Sequence, residues 1–200
     1  MILFSIIKKF RFSLLLLGLA GILSACSIGG PEKPNKVNYP VADFTYVNQD
    51  NKNVGLGDLK GQVWIADFIF TSCDTVCPPM TANMAKLQQM IKDEGLEARL
   101  VSFSVDPEVD TPEKLIEFAE TFNSDLTNWD FLTGYSQKEI EDFALNSFKG
   151  LVQKTDQSNQ VTHGTSFYLV DQTGTILNYY SGTSNTPFEQ IISDIKALTK

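Results

Sequence analysis

The stretch VWIADFIF at residues 63–70 runs directly into TSCDTVCP at residues 71–78. Val63–Phe70 is apolar on both faces with a β-branched bias, the pattern of a strand covered on both sides. Cys73 and Cys77 follow it in a short polar loop. Pro78 and Pro79 then fit the first turn of a helix, where a missing N–H costs nothing. That helix is expected over Pro78–Glu94. Met80, Met84, Leu87 and Ile91 fall at i, i+4, i+7 and i+11 and make one apolar stripe. Their place on the stripe reads the two methionines as core filling rather than metal ligands. Gly95 fits as the helix stop.

Working outward, Arg99–Val105 (RLVSFSV) reads as a second strand broken by Asp106-Pro107. Thr111 and Pro112 open a helix to about Phe122, as N-cap and first helical residue. Asp110 reads as the approach to that cap. Phe131–Leu132 suggests a short strand. Ser136–Phe148 reads as a helix, with Ser136 and Glu139 forming a capping box. Phe167–Val170 and Ile176–Tyr180 alternate around Asp171–Gly174 and predict a hairpin. Pro187–Leu198 closes the chain as an amphipathic helix. Ahead of the cysteines, Phe44–Val47 and Asn53–Gly57 predict a small hairpin. Trp64 and Trp129 belong to the core. The order predicts one α/β domain with a mixed central sheet and flanking helices. A cysteine pair between the first core strand and its helix resembles the thioredoxin fold, with an added N-terminal β-hairpin.

The first 25 residues have their own logic. Lys8, Lys9 and Arg11 precede an uncharged, leucine-rich run from Phe12 to Ala25, too short for a comfortable membrane span. It ends in Leu23-Ser24-Ala25-Cys26. Residues 1–25 therefore resemble a bacterial lipoprotein signal peptide. The resemblance implies that Cys26 is lipidated and becomes the mature N terminus, with two acyl chains sufficient for stable anchoring. Residues 26–36, rich in Gly, Pro and charge, read as a flexible tether, and residues 37–200 as the folded domain. Cys26 then leaves the redox count, and of the three cysteines Cys73 and Cys77 remain as a pair. Loss of residues 1–25 removes Lys8, Lys9 and Arg11 and no acidic residue, so the formal charge goes from −8 to −11. That balance argues against nucleic acid as a partner.

Ligand sites in open α/β sheets lie beyond the carboxyl ends of the parallel strands. Cys73 follows one such strand and Asp106 the next. His163, the single histidine, precedes Phe167–Val170. If that last strand runs antiparallel, all three segments meet on one rim. Two soft thiolates and one imidazole suit copper or zinc. A zinc hydrolase needs a general base, and none accompanies the cysteines, so copper fits better. Thiol redox chemistry competes. Against it stand a Cys-Cys spacing one residue longer than in the usual oxidoreductase motif and Asp74, whose negative charge opposes a Cys73 thiolate. A Cys73–Cys77 disulfide remains compatible with the same residues.

Three motifs in this order resemble the Sco (SenC/PrrC) family: Phe70–Pro78 with its Cys-x-x-x-Cys-Pro, Asp106-Pro-Glu-Val-Asp-Thr-Pro112, and Val161-Thr-His163-Gly-Thr165. The resemblance implies a membrane-tethered thioredoxin-like protein that binds one copper, as Cu(I) or Cu(II), through Cys73, Cys77 and His163. It implies a role in assembling the dinuclear copper centre of cytochrome c oxidase, with the copper-centre subunit as partner. The work done there would be copper delivery, thiol reduction of the target cysteines, or both. It places the domain on the extracytoplasmic face of the cell membrane, held by lipid. Cys73 and Cys77 would pair as a disulfide in the oxidised form. Thr165 takes the place of the cis-proline of other thioredoxin-like proteins. Asp106 is a candidate to support the ligands or touch a partner, against the simpler reading of a turn former before Pro107. Two other readings stay open. One is a thiol–disulfide oxidoreductase or thiol peroxidase without a metal, and the other a lipoprotein scaffold.

Overall fold

The computed structural model describes residues 36–154 and 160–199. The signal segment, Cys26 and nearly all of the tether lie outside the described residues. No helix among the described residues is long and apolar enough to cross a membrane. In chain order the strands are β1 (Tyr39–Pro40), β2 (Thr45–Asn48), β3 (Asn53–Gly55), β4 (Trp64–Ile69), β5 (Arg99–Ser104), β6 (Trp129–Thr133), β7 (Val152–Lys154), β8 (Val161–His163), β9 (Ser166–Val170) and β10 (Thr175–Ser181). The α-helices are α1 (Leu56–Leu59), α2 (Cys77–Asp93), α3 (Pro112–Thr121), α4 (Gln137–Phe143) and α5 (Phe188–Leu198).

Eight strands form one mixed sheet in the order β1-β10-β9-β4-β5-β6-β2-β3. β4, β5 and β6 run parallel, with Trp64 opposite Arg99 and Leu100 opposite Trp129. β9 lies antiparallel to β4, with Trp64 opposite Val170. The thioredoxin-like reading with an added N-terminal hairpin, β2–β3, therefore holds. β4 is buried along its whole length, as its double-sided apolar pattern predicts.

The helix signals at Thr111, Ser136 and Gly95 are met. Thr111 caps α3 by accepting from Lys114 N. Ser136 and Glu139 form the capping box of α4. Gly95, at φ +62, closes α2. Its N–H reaches Lys92 O, and Leu96 N–H reaches Ile91 O, the paired bonds of a Schellman stop. Met80, Met84, Leu87 and Ile91 are all buried against one sheet face. The opposite face holds an aromatic cluster in which Phe68, Phe103, Phe143 and Phe148 meet at 5.1–5.9 Å between ring centroids.

Several elements differ from expectation. The first hairpin ends at Gly55, because Asp58 Oδ2 accepts from Gly55 N at 2.8 Å and starts the single turn of α1. β6 extends beyond Phe131–Leu132, since Asp130, which interrupts the apolar pattern, is satisfied by Arg99 and by Asn48 Nδ2. The helix from Ser136 is α-helical only to Phe143. Its last turn, Ala144–Phe148, widens to a π-turn closed by Lys149 N–H on Ala144 O, with Gly150 N–H sharing the same carbonyl. β1 is too short, and contains a proline, to show as a strand in sequence. β7 and β8 form a separate two-stranded ribbon, with Val152 opposite His163.

Candidate metal centre

Two stretches that are distant in sequence, residues 73–77 and the strand that ends at His163, bring three donor atoms to the rim of the sheet. β4 delivers the cysteine loop. Cys73 N–H donates to Phe70 O at 3.3 Å, turning the chain back immediately after the strand. The loop is pinned from the side by Asp110, which is fully buried. Its carboxylate accepts from Thr71 N at 3.2 Å, from Thr71 Oγ1 at 2.6 Å and from Ser104 Oγ at 2.6 Å. Burial pushes the Asp110 carboxyl up, and the bonds from Ser104 and Thr71 only partly offset it.

Cys77 is the first residue of α2, and its N–H donates to Cys73 Sγ at 3.3 Å. Cys77 Sγ lies 3.4 Å from His163 Nε2. His163 Nδ1 is 2.9 Å from Gly164 O. That carbonyl can only accept, so it takes the Nδ1 proton and leaves the Nε2 lone pair facing the sulfur. Phe70 packs edge-on to the imidazole at 5.6 Å between ring centroids. The Sγ atoms of Cys73 and Cys77 and a ring nitrogen of His163 all lie within 4.8 Å of one another, the one such cluster among the described residues. The rim inferred from strand order is therefore real, and it depends on β9 running antiparallel to β4.

The two thiols are unlike. Both cysteines are free. Cys77 is fully buried, and burial first, then its bond to Cys73, drives its thiol far above the ordinary value. Cys73 is 6% exposed. Burial opposes its ionisation, but hydrogen bonds from Cys77 and Thr75 outweigh that and hold it below the ordinary thiol value. The expectation that Asp74 raises Cys73 is corrected by this. Asp74 is exposed, where water screens its charge, while the donors touch the sulfur directly. Burial lowers the His163 imidazole, so it is neutral at neutral pH and able to act as a ligand. Two sulfurs of unequal acidity and one neutral imidazole fit a soft metal ion without rearranging the donor types.

Asp106 lies outside this cluster. It is buried, its N–H donates to Ser104 Oγ at 3.1 Å, and its carbonyl accepts from Val109 and Asp110, so it makes the turn before Pro107. Its carboxylate pairs with Lys154 Nζ at 2.7 Å. Thr165 is joined to the domain through Gly182 N–H on its carbonyl at 2.8 Å, and no cis peptide occurs among the described residues. Trp64 and Trp129 are core residues. Sequence reasoning missed Asp110, Thr75 and Lys154. Only the Asp110 position had a local signal, and helix capping accounted for that.

Comparisons with known proteins agree with this geometry. The SCO1/SenC family's sequence model matches residues 32–200. A SCO1/SenC family lipoprotein from Bacillus anthracis str. Ames is 52% identical, covering 83% of this chain and 99% of its own, with a TM-score of 0.80. BsSco, described as a member of the Sco family of cytochrome c oxidase assembly proteins with a disulfide switch, is 54% identical over 84% of this chain and 97% of its own, with a TM-score of 0.78. Arabidopsis thaliana ScoI, solved with copper bound, is 25% identical over 78% of this chain and 98% of its own, with a TM-score of 0.67. On fold, motif order and family match together, this chain belongs to the SCO1/SenC family.

Proposed function

We propose that this protein carries one copper ion as cargo on Cys73 Sγ, Cys77 Sγ and His163 Nε2 and serves cytochrome c oxidase assembly. The observation that carries the reading is the convergence within 4.8 Å of these three donors, two from residues 73–77 and one from a strand 86 positions further on. The copper-bound relative and the oxidase-assembly relative support it. The target is the oxidase subunit that holds the dinuclear copper centre. Residues 1–25 act as a signal peptide. Cys26 holds the lipid, and residues 26–36 tether the 37–200 domain to the extracytoplasmic face of the cell membrane. The Bacillus anthracis relative is described as a lipoprotein, which favours this arrangement.

Each residue has a distinct task. Cys73 ionises first, because Cys77 N–H and Thr75 already stabilise its sulfur. Burial disfavours a free Cys77 thiolate, and a bound cation would offset that cost by taking the place of its proton. His163 offers Nε2 because Gly164 O fixes the other ring nitrogen. Asp110 keeps the loop in place for all three.

A second reading is favoured by the acidity difference. Cys73 thiolate attacks a target disulfide and Cys77 resolves the mixed disulfide. The target's two sulfurs leave as thiols, and Cys73–Cys77 closes as a disulfide, a two-electron exchange balanced by two protons. Without a metal, this would make the protein a thiol–disulfide oxidoreductase; with a peroxide in place of the target disulfide, Cys73 would become a sulfenic acid that Cys77 resolves with release of water, the thiol peroxidase form of the same reading. His163→Ala separates the two. We expect it to lose copper in competition with a chelator while retaining reduction of a model disulfide. Unchanged copper affinity would overturn the ligand assignment.

A further inference from the structure

His163 stands on a ribbon that belongs to neither side of the main sheet. β7 and β8 pair with each other over three residues each. A ribbon that short does not hold its shape alone in water. Val152 and Val161 bury one face of it. Lys154, opposite Val161, gives it a further anchor. Lys154 N–H donates to Glu141 Oε1 at 3.1 Å. Lys154 Nζ donates to Asp106 Oδ1 at 2.7 Å and to Glu108 Oε2 at 3.0 Å.

The pair is not an ordinary surface bridge. The Asp106 side chain is 2% exposed and that of Lys154 24%. Asp106 is also one link in a longer chain of bonds. Its N–H donates to Ser104 Oγ, Ser104 Oγ donates to Asp110, and Asp110 holds Thr71 of the cysteine loop. The histidine ribbon and the cysteine loop are therefore fastened to the same strand end, the ribbon through Lys154 and the loop through Asp110.

We propose that Lys154 is a positioning residue for the metal site: its ion pair with Asp106 latches the β7–β8 ribbon so that His163 is held opposite Cys77. The inference rests on the copper reading above. Partners that orient a ligand in this indirect way typically change metal affinity by about 10- to 100-fold. Removing the ammonium alone also strands a buried carboxylate, so the single and double variants differ in a diagnostic way.

The test uses the full reduced chain in detergent micelles, as wild type, Lys154→Met, Lys154→Arg and the double variant Lys154→Met/Asp106→Asn. Copper affinity is read by chelator competition, and ribbon order in the metal-free protein by hydrogen exchange with mass spectrometry. We expect Lys154→Met to bind copper about 10- to 100-fold more weakly. Exchange over Val152–Lys154 and Val161–His163 should rise about tenfold or more, with β4 and β5 unchanged, as expected for local opening. Lys154→Arg should restore both. The double variant should regain thermal stability but not ribbon protection. Wild-type affinity and exchange in Lys154→Met would overturn the latch, as would full recovery of both in the double variant. The exchange measurement needs no metal. A wild-type chain that bound no copper would therefore refute the copper reading, while ribbon exchange still decided the latch.

Discussion

Asp67 lies in the middle of β4 with no exposure to solvent. Its Oδ1 accepts from Ser102 Oγ at 2.5 Å, and its Oδ2 has no partner. Burial raises its carboxyl from 3.8 to about 7, against a smaller opposing effect of the Ser102 bond. The folded chain therefore keeps a proton that the unfolded chain releases. Between about pH 4 and pH 7 the native state binds more protons, so stability falls as pH rises and levels off above that window. At 1.36 kcal/mol per unit, the shift of roughly three units is worth about 4 kcal/mol. Asp67→Asn removes the proton but keeps an acceptor for Ser102. The variant should match wild type near pH 4 and exceed it by an amount that grows to about 4 kcal/mol at pH 8. The assay is urea unfolding of the reduced, metal-free protein at pH 4.5, 6 and 8, followed by far-ultraviolet circular dichroism. All other titrating groups are common to both chains and cancel in the difference. A difference that stayed constant with pH, or an Asp67→Asn chain no more stable than wild type at pH 8, would refute the reasoning.

Asp110→Ala removes the acceptor for Thr71 and Ser104 and should cost about 2–4 kcal/mol, since buried donors are left unpaired; chemical denaturation measures this, and Asp110→Asn should lose less. At pH 7 in the reduced protein, iodoacetamide should label Cys73 well before Cys77, because Cys73 is the more acidic thiol and retains some exposure while Cys77 has none. Peptide mapping after short exposure checks the order, and equal labelling of the two would contradict the difference between the thiols.

The rim site is largely legible in sequence because its parts sit at strand ends. Val63–Phe70 shows its burial by composition, Pro78 and Pro79 mark the start of α2, and the thioredoxin-like resemblance supplies the antiparallel direction of β9 against β4. Direction and order together bring His163 to Cys77. The missing parts depend on contacts that no local pattern encodes. Asp110 and Thr71 are 39 positions apart, and Lys154 and Asp106 are 48 apart. The acidity of Cys73 was misjudged because Asp74 is a neighbour in sequence, whereas the groups that set it are neighbours in space. The ribbon that carries His163 is too short for a period-2 pattern to show.

The two prolines at the head of α2 have a consequence for what the site refuses. A helix normally begins with four unspent N–H groups, which makes its first turn a natural cradle for phosphate and other anions. In α2, Pro78 and Pro79 have no N–H to offer. Met80 N–H is already used on Val76 O at 3.2 Å, and Cys77 N–H is committed to Cys73 Sγ. At the first four positions of the helix, residues 77–80, every backbone donor is either absent or spent, one of them on a sulfur. The first turn is thereby a poor cradle for phosphate or carboxylate from the surrounding medium, and the N–H it does direct outward at Cys77 acts on the Cys73 sulfur.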